Sequence, residues 1–238
     1  MFSPLIRKLG HGVDLTEADR DRLACLGRTR QIGARQEIIA QGDRPEDVHL
    51  VLSGFACRYK VLRDGKRQIM ALLVPGDFCD LHVAILGAMD HGITALSPCT
   101  VAELPRATIL NLTENHLRIT RALWWATLVD EAILREWLVN MGQREAHQQL
   151  AHLFCELLVR LKAAGIGDAD GYPFPLTQVD LAEVLGITSV HVNRTLQSLR
   201  DENLIVLRGR RLNIPDVERL KAYCDFDPAY LHLVKRVE

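Results

Sequence analysis

The chain reads as an α+β protein: a domain of short antiparallel strands, then one long helix, then a compact helical unit closed by a hairpin. Three observations predict this. Between about Arg30 and Arg106 the apolar runs are short and separated by turn signals. From Leu117 to about Asn140 there is no glycine or proline and the apolar period becomes helical. Beyond about Pro175 two short amphipathic segments flank a glycine and are followed by alternating runs around Arg208-Gly209-Arg210.

A short helix over Thr16–Cys25 is expected to precede the strands. In the β region the punctuation is Gly33, Gln41-Gly42-Asp43, Ser53-Gly54, Arg63-Asp64-Gly65-Lys66, Pro75-Gly76-Asp77 and Ser97-Pro98. The intervening runs, such as Val48–Leu52, Ala56–Leu62 and Gln68–Leu73, lean toward strand. Asp64-Gly65 marks a hairpin whose two turn positions both want positive φ. Many short strands at close spacing imply a sandwich or barrel.

The long helix carries Ile119, Leu123, Ala126, Ile133 and Trp137 in a 4-3 alternation that ends at Asn140, with Asp130 as its one charged interruption. So narrow a stripe predicts a two-helix seam, and hence a homodimer. Trp124, Trp125, Val129, Leu134 and Leu138 lie off it and are expected on the β domain. The other reading is a single amphipathic helix folded onto its own core. Gly142 is expected to end this helix, with a hinge over Asn140–Gln143, and a further helix to run from about Arg144 to Ala164. These zones divide the chain into residues 1–112, 113–141 and 142–238.

At 238 residues the chain exceeds the usual ~100–200 of one domain. Its formal net charge is -1, so no global field draws it to nucleic acid or membrane. No stretch reaches the ~20 apolar residues of a membrane span, and residues 1–10 do not form a signal peptide, so a cytoplasmic protein is expected. The six cysteines, at 25, 57, 79, 99, 155 and 224, include no Cys-x-x-Cys pair and match no zinc module. They read as small apolar core residues, and no metal site is expected.

The stretch Leu176–Leu199 carries the chemistry. Thr177 can cap a helix with Leu181, Val184 and Leu185 facing in, and Ala182 lets a second helix approach. Gly186 frees the turn, and Thr188 or Ser189 caps the second helix, which buries Val192, Leu196 and Leu199. Its other face presents Val190, His191, Asn193, Arg194, Gln197 and Arg200. A helix packed on one side and hydrogen-bonding on the other suits the major groove of double-stranded DNA. Between Ile187 and Ile214 five arginines (194, 200, 208, 210 and 211) stand against two acids, a local charge of +3. Arginine grips phosphate oxygens or a guanine edge. Thr177, Gln178, Thr188, Ser189, Arg208, Arg210 and Arg211 are expected to fix register on phosphates.

With these motifs the chain, from about Leu15 to Ile214, resembles the Crp/Fnr family of bacterial regulators. The resemblance also rests on Gly42-Asp43, Leu52-Ser53-Gly54, Asp64-Gly65, Pro75-Gly76-Asp77-Phe78 and Ala102-Glu103-Leu104-Pro105. It implies a cyclic-nucleotide-binding-type β-roll, a dimerisation helix and a winged helix-turn-helix. It also implies a transcription regulator rather than an enzyme, with RNA polymerase as a partner. Family members that bind cyclic AMP carry a Gly-Glu pair and an Arg-Ser pair. Here those regions read Cys79-Asp80-Leu81-His82 and Met89-Asp90-His91-Gly92-Ile93-Thr94, and no arginine lies between Arg67 and Arg106. Cyclic AMP is therefore not expected. Nor is an iron–sulfur cluster, because only Cys25 lies near the start and Ala102 occupies the later cysteine position.

Cys79 and His82 keep a haem- or redox-responsive gas sensor of the same family as an alternative, although their spacing departs from the haem-binding branch. Cys79, Asp80, His82, Asp90 and His91 are the candidate lining of an effector pocket for an unknown small molecule. In the recognition helix Arg194 aligns with the family's DNA-reading arginine, while Val190 replaces a common glutamate and can pack on a thymine methyl. A cupin-type β-barrel enzyme is the rival suggested by nine histidines, but the metal-binding His-x-His is missing.

Overall fold

The computed structural model describes residues 2–233; the outermost ends of the two predicted end zones, residue 1 and residues 234–238, lie outside the described residues. Helices α1 (Ser3–Gly12) and α2 (Glu17–Ala24) precede strands β1 (Arg28–Ile32), β2 (Glu37–Ile39), β3 (Asp47–Ser53), β4 (Ala56–Val61) and β5 (Arg67–Leu73). A one-turn helix α3 (Val83–Leu86), strands β6 (Gly92–Ala95) and β7 (Cys99–Pro105) and helix α4 (Arg106–Asn115) lead to α5 (Leu117–Gln143). Then come α6 (Ala146–Ala163), β8 (Gly171–Pro173), α7 (Gln178–Leu185), α8 (Ser189–Asp201), β9 (Val206–Arg208), β10 (Arg211–Asn213), α9 (Val217–Tyr223) and a 3-10 turn, Pro228–Leu231. The chain packs as two compact units that part at Asp130/Glu131 within α5, the first also taking in His232 and Leu233.

The first unit holds two antiparallel sheets, ordered β1-β7-β3 and β2-β6-β4-β5. Strand β3 shows why apolar residues stand at successive positions from Leu50 to Leu52. Val48, Leu50 and Leu52 enter one core with the helices, while Val51 enters a second core with Ile32, Ala56, Leu73, Ile93 and Val101. Successive side chains point to opposite faces, and here both faces are covered. Each such side chain stabilises by about 1.5–3 kcal/mol on burial. The predicted helix over Thr16–Cys25 is α2, capped by Thr16, whose hydroxyl accepts from Asp19 N at 3.2 Å. Helix α1 was not foreseen; its Leu5 and Leu9 join the helix-side core.

The Asp64-Gly65 hairpin forms between β4 and β5, but not as a two-residue turn. Gly65 N donates to Leu62 O at 2.9 Å, and among the two predicted turn positions only Gly65 has positive φ, +85°. The tight mirror-image turn lies instead between β9 and β10, where Gly209 and Arg210 both have positive φ, 52° and 62°. An arginine there costs roughly 1–2 kcal/mol, a strain placed at the tip of the basic hairpin.

Helix α5 corrects two expectations. It runs unbroken through the supposed hinge at Asn140–Gln143, and the chain turns at Arg144–Glu145 instead. More consequentially, Ile119, Leu123, Ala126, Ile133 and Trp137 are all buried within the single chain. Ile119, Leu123 and Ala126 belong to the core that also holds Leu5, Leu104 and Ile109. The predicted seam therefore faces the chain's own core and is not free to meet a second copy. Asp130, its charged interruption, has its own explanation. It pairs with Arg58, whose side chain is only 17% exposed.

The second unit is organised on α6. Residues Gln149–Leu158 are buried all round, the mark of a central helix. Glu156, fully buried, accepts from Trp137 Nε1 (3.0 Å), Tyr230 OH (3.0 Å) and Arg160 Nη1 (2.8 Å). A charge so placed is tolerated because its oxygens are satisfied. Strand β8, also unforeseen, completes the sheet β8-β10-β9.

His152, one helical turn before Glu156, is 1% exposed and stacks with Tyr230. Glu136 Oε1 lies 3.2 Å from its Nε2, but Arg144 claims that oxygen at 2.8 Å. Burial, and then the nearby Arg144 charge, hold the imidazole down to about 3. The unfolded chain, with an ordinary histidine near 6.5, binds this proton more tightly. Stability from His152 is thus complete above about pH 6.5 and is lost by about 1.4 kcal/mol per unit as pH falls toward 3. Urea unfolding at pH 7 and pH 5 should show a steeper loss for the native chain than for His152→Gln; equal slopes would refute the assignment.

Candidate nucleic-acid interface

The candidate interface is built on α7 and α8. Thr177 caps α7: its hydroxyl accepts from Asp180 N at 3.2 Å and donates to the Asp180 carboxylate at 2.7 Å. Gly186 ends α7 in the left-handed region, φ 68°, where a side chain would be strained. Thr188, rather than Ser189, caps α8, accepting from His191 N at 3.2 Å. Leu181, Val184 and Leu185 of α7, with Val192, Leu196 and Leu199 of α8, are buried. The two helices are therefore held by a shared apolar seam.

The outer side of α8 is open. Ser189, Val190, His191, Asn193, Arg194 and Gln197 are all exposed, Val190 to 62%. Arg194 has no hydrogen-bond or ion-pair partner among the described residues. Asn193 Nδ2 donates to Gln178 Oε1 at 3.2 Å, which ties the two helices together on their outer side. Gln197 is held by Asp201 (2.7 Å), and the half-buried Arg200 folds back to Leu196 O (3.1 Å). Neither of these last two has the freedom of Arg194. In the hairpin, Arg208 and Arg210 are exposed, whereas Arg211 is half-buried and pairs with Asp168 and Asn213. Among the described residues, the basic patch thus offers three unencumbered guanidinium groups, at 194, 208 and 210.

A cleft of about 740 Å³ borders this face, lined by Thr188, Val190, His191, Arg194, Thr195 and Ser198 and, across from them, by Glu145, Ala146 and His147. The last three were not foreseen. Their only sequence signal is the cap at the start of α6, where Glu145 N donates to Gln148 Oε1 at 3.3 Å.

The five candidate effector residues divide between buried packing and one cluster. The Cys79 thiol is buried in the inter-sheet core, and burial pushes it well above the ordinary thiol range. Asp80, fully buried, accepts from His49 N (2.6 Å) and pairs with His49 Nδ1 (2.8 Å), so it braces β3. His82, Asp90 and His91 do come together, with their donor atoms within 4.8 Å of one another. Burial, and then the His91 and Arg58 charges, keep His82 below its ordinary value. A haem ligand pair of Cys79 and His82 is not supported, because Cys79 is packed in the apolar inter-sheet core and does not join the His82 cluster.

The sequence reading also passed over Arg58. It donates to Phe78 O (2.8 Å) and Cys79 O (3.1 Å) and to the Asp130 carboxylate on α5. Burial works against its charge, but Asp130 outweighs that and holds the guanidinium above its usual value. The loop before His82 is thereby strapped to α5.

A β-roll followed by a helix-turn-helix with its polar side outward and a β-hairpin beside it defines a two-domain DNA-binding regulator. Residues 29–116 match the cyclic nucleotide-binding domain, and residues 148–223 match the Crp-like helix-turn-helix domain. The chain belongs to the Crp/Fnr family of transcription regulators. It is 27% identical over 217 residues to the transcriptional activator protein FnrL of Cereibacter sphaeroides, covering 88% of this chain and 87% of that one. It is 26% identical over 197 residues to the nitrogen fixation regulation protein FixK of Bradyrhizobium diazoefficiens, covering 83% and 82%. Among solved structures, FixK2 from Bradyrhizobium japonicum superposes with a TM-score of 0.75 at 23% identity, over 83% of this chain and 96% of that one. The β region thus belongs to a cyclic nucleotide-binding domain, which removes the basis for the cupin-type enzyme reading. No helix among the described residues is long and apolar enough to cross a membrane.

Proposed function

We propose that the chain acts in the cytoplasm as a homodimer on a two-fold repeat in double-stranded DNA. Each α8 enters the major groove of one half-site, the two lying about one turn, ~34 Å, apart. The observation that carries this reading is α8 itself, whose apolar side is buried while its polar side, with Arg194 unpartnered, faces out. Arg194 reads a guanine edge, Val190 a thymine methyl, and His191 and Asn193 neighbouring bases. Thr177, Gln178, Thr188, Ser189, Arg208 and Arg210 hold phosphates, with Gln197, Arg200 and Arg211 in support. In this division of labour residues 1–112 receive a signal, 113–141 pair the protomers and 142–238 bind DNA. A relative named as a transcriptional activator favours RNA polymerase as a partner.

The dimer seam that α5 leaves available is a second stripe. Leu117, Arg121, Trp124, Leu128, Glu131, Arg135, Leu138 and Gly142 repeat at alternating spacings of four and three, and all are exposed. Trp124 is 65% exposed and Leu138 67%, a cost to a lone protomer that pairing with a second copy removes.

Selection of binding sites from random duplexes tests this reading and should return a two-fold repeat. With Val190→Glu the preferred half-site should change at the base pair facing position 190, because a carboxylate accepts a hydrogen bond where valine only packs. A selected motif without two-fold symmetry, or one unmoved by Val190→Glu, would refute the docking.

A further inference from the structure

The loop leading into α3 and the turn leading into β6 bring three side chains together that the DNA-binding reading does not use. The donor atoms of His82, Asp90 and His91 all lie within 4.8 Å of one another. The two imidazole rings are 5.4 Å apart between centroids and tilted by 34°. His91 is 90% buried as a side chain, its exposure being 10%. Nε2 of His91 and Nε2 of His82 are both buried and have no hydrogen-bond partner among the described residues. Buried polar atoms are nearly always satisfied, so two such nitrogens in one cluster call for an occupant.

The rest of the cluster says what kind. His91 Nδ1 and Asp90 Oδ1 are 2.5 Å apart. With its proton on Nδ1 facing the carboxylate, the His91 ring is fixed in orientation and its Nε2 carries a lone pair. A carboxylate on the far nitrogen is the usual partner of a metal-bound histidine. An N–H at His91 Nε2 would instead need an acceptor, and none lies among the described residues.

We propose that His82 and His91 hold a first-row divalent transition-metal ion of the zinc class through their Nε2 atoms, with Asp90 orienting His91. Imidazole suits such ions. No thiolate joins them, because Cys79 is packed in the inter-sheet core. Two protein nitrogens leave coordination positions for water or for a ligand, unlike the closed four-ligand sites that serve structure alone. Asp90, 81% exposed, leaves the cluster a route to solvent. The ion would join the loop that Arg58 straps to α5 to the turn at the start of β6.

The test uses the full chain, stripped of metal by a chelator and titrated with Co²⁺, with Zn²⁺ as competitor. The expected result is one Co²⁺ per chain, displaced by Zn²⁺, with visible d–d bands and no sulfur-to-metal charge-transfer band. His82→Gln and His91→Gln should each abolish those bands while keeping the thermal transition of the native chain. Asp90→Asn should weaken Co²⁺ binding by about 10–100-fold, and it carries the test if a glutamine variant fails to fold. Absence of Co²⁺ binding, a thiolate band, or an identical spectrum in the His82→Gln/His91→Gln double variant would overturn the proposal. The titration contains no DNA, so its outcome is independent of the DNA-binding reading.

Discussion

Replacing Arg194 with alanine should abolish discrimination between the selected operator and random duplex at moderate salt, while the dimer stays intact. The side chain is exposed on α8 and has no partner among the described residues, so its loss leaves no buried partner behind and costs little stability. One bidentate arginine–guanine pair discriminates by about 1–3 kcal/mol, and two copies per dimer bring this to roughly 2–6 kcal/mol. Operator affinity should therefore fall by a factor between about 30 and 10⁴, since about 1.4 kcal/mol is tenfold. Binding to random duplex should change far less, because Arg208 and Arg210 still meet phosphates. Arg208→Ala should do the converse, weakening operator and random duplex alike and lowering the salt slope by about one per protomer. Titrations of both duplexes across a salt series separate the two effects. Operator preference that survives Arg194→Ala would mean that α8 is not the reading helix.

The helix-turn-helix was legible because its determinants are local. A capping threonine three residues before Asp180, a glycine at the one left-handed position and a 3-4 apolar spacing specify two short helices wherever they occur. The exposed set on α8, with the half-buried Arg200 as the exception, followed directly from the buried one. The hairpin was legible for the same reason, although its third strand, β8, was not: three residues that begin with a glycine and end with a proline carry no periodic signal. What the sequence could not assign were choices that depend on distant partners. Asp80 looks like a pocket residue until His49, 31 positions earlier, is seen to occupy both of its oxygens. Arg211 looks like its neighbour Arg210 until Asp168 is placed beside it.

The dimer stripe failed in a more instructive way. Helix α5 carries two stripes of the same 4-3 period, displaced by two residues. The one from Ile119 to Trp137 is almost wholly apolar, and the one from Leu117 to Leu138 is interrupted by Arg121, Glu131 and Arg135. Periodicity scores the first higher, yet uniform apolarity is what an intrachain core demands. A seam that must also tolerate water before assembly can carry charges, and Glu131 and Arg135 pair with each other at 2.7 Å along the helix.

This assignment yields the second large effect. Leu128→Glu combined with Leu138→Glu should convert the dimer to a folded monomer. In the dimer each leucine contributes about 1.5–3 kcal/mol of burial, and the two-fold axis doubles every loss. The substitution also faces like charges across the seam, where they repel. Both positions are exposed in the single chain, so the protomer's own unfolding transition should hardly move. Leu123→Ala should behave in the opposite manner, costing about 2–5 kcal/mol of stability by opening a cavity in the helix-side core and leaving the oligomeric state unchanged. Sedimentation equilibrium and urea unfolding on the two variants distinguish the stripes without reference to DNA. The monomer should then lose operator affinity steeply, because two half-sites held by one particle bind far more tightly than either does alone. A dimer that survives the double glutamate, or dissociates with Leu123→Ala, would return the seam to the buried stripe and would require α5 to separate from the core it now covers.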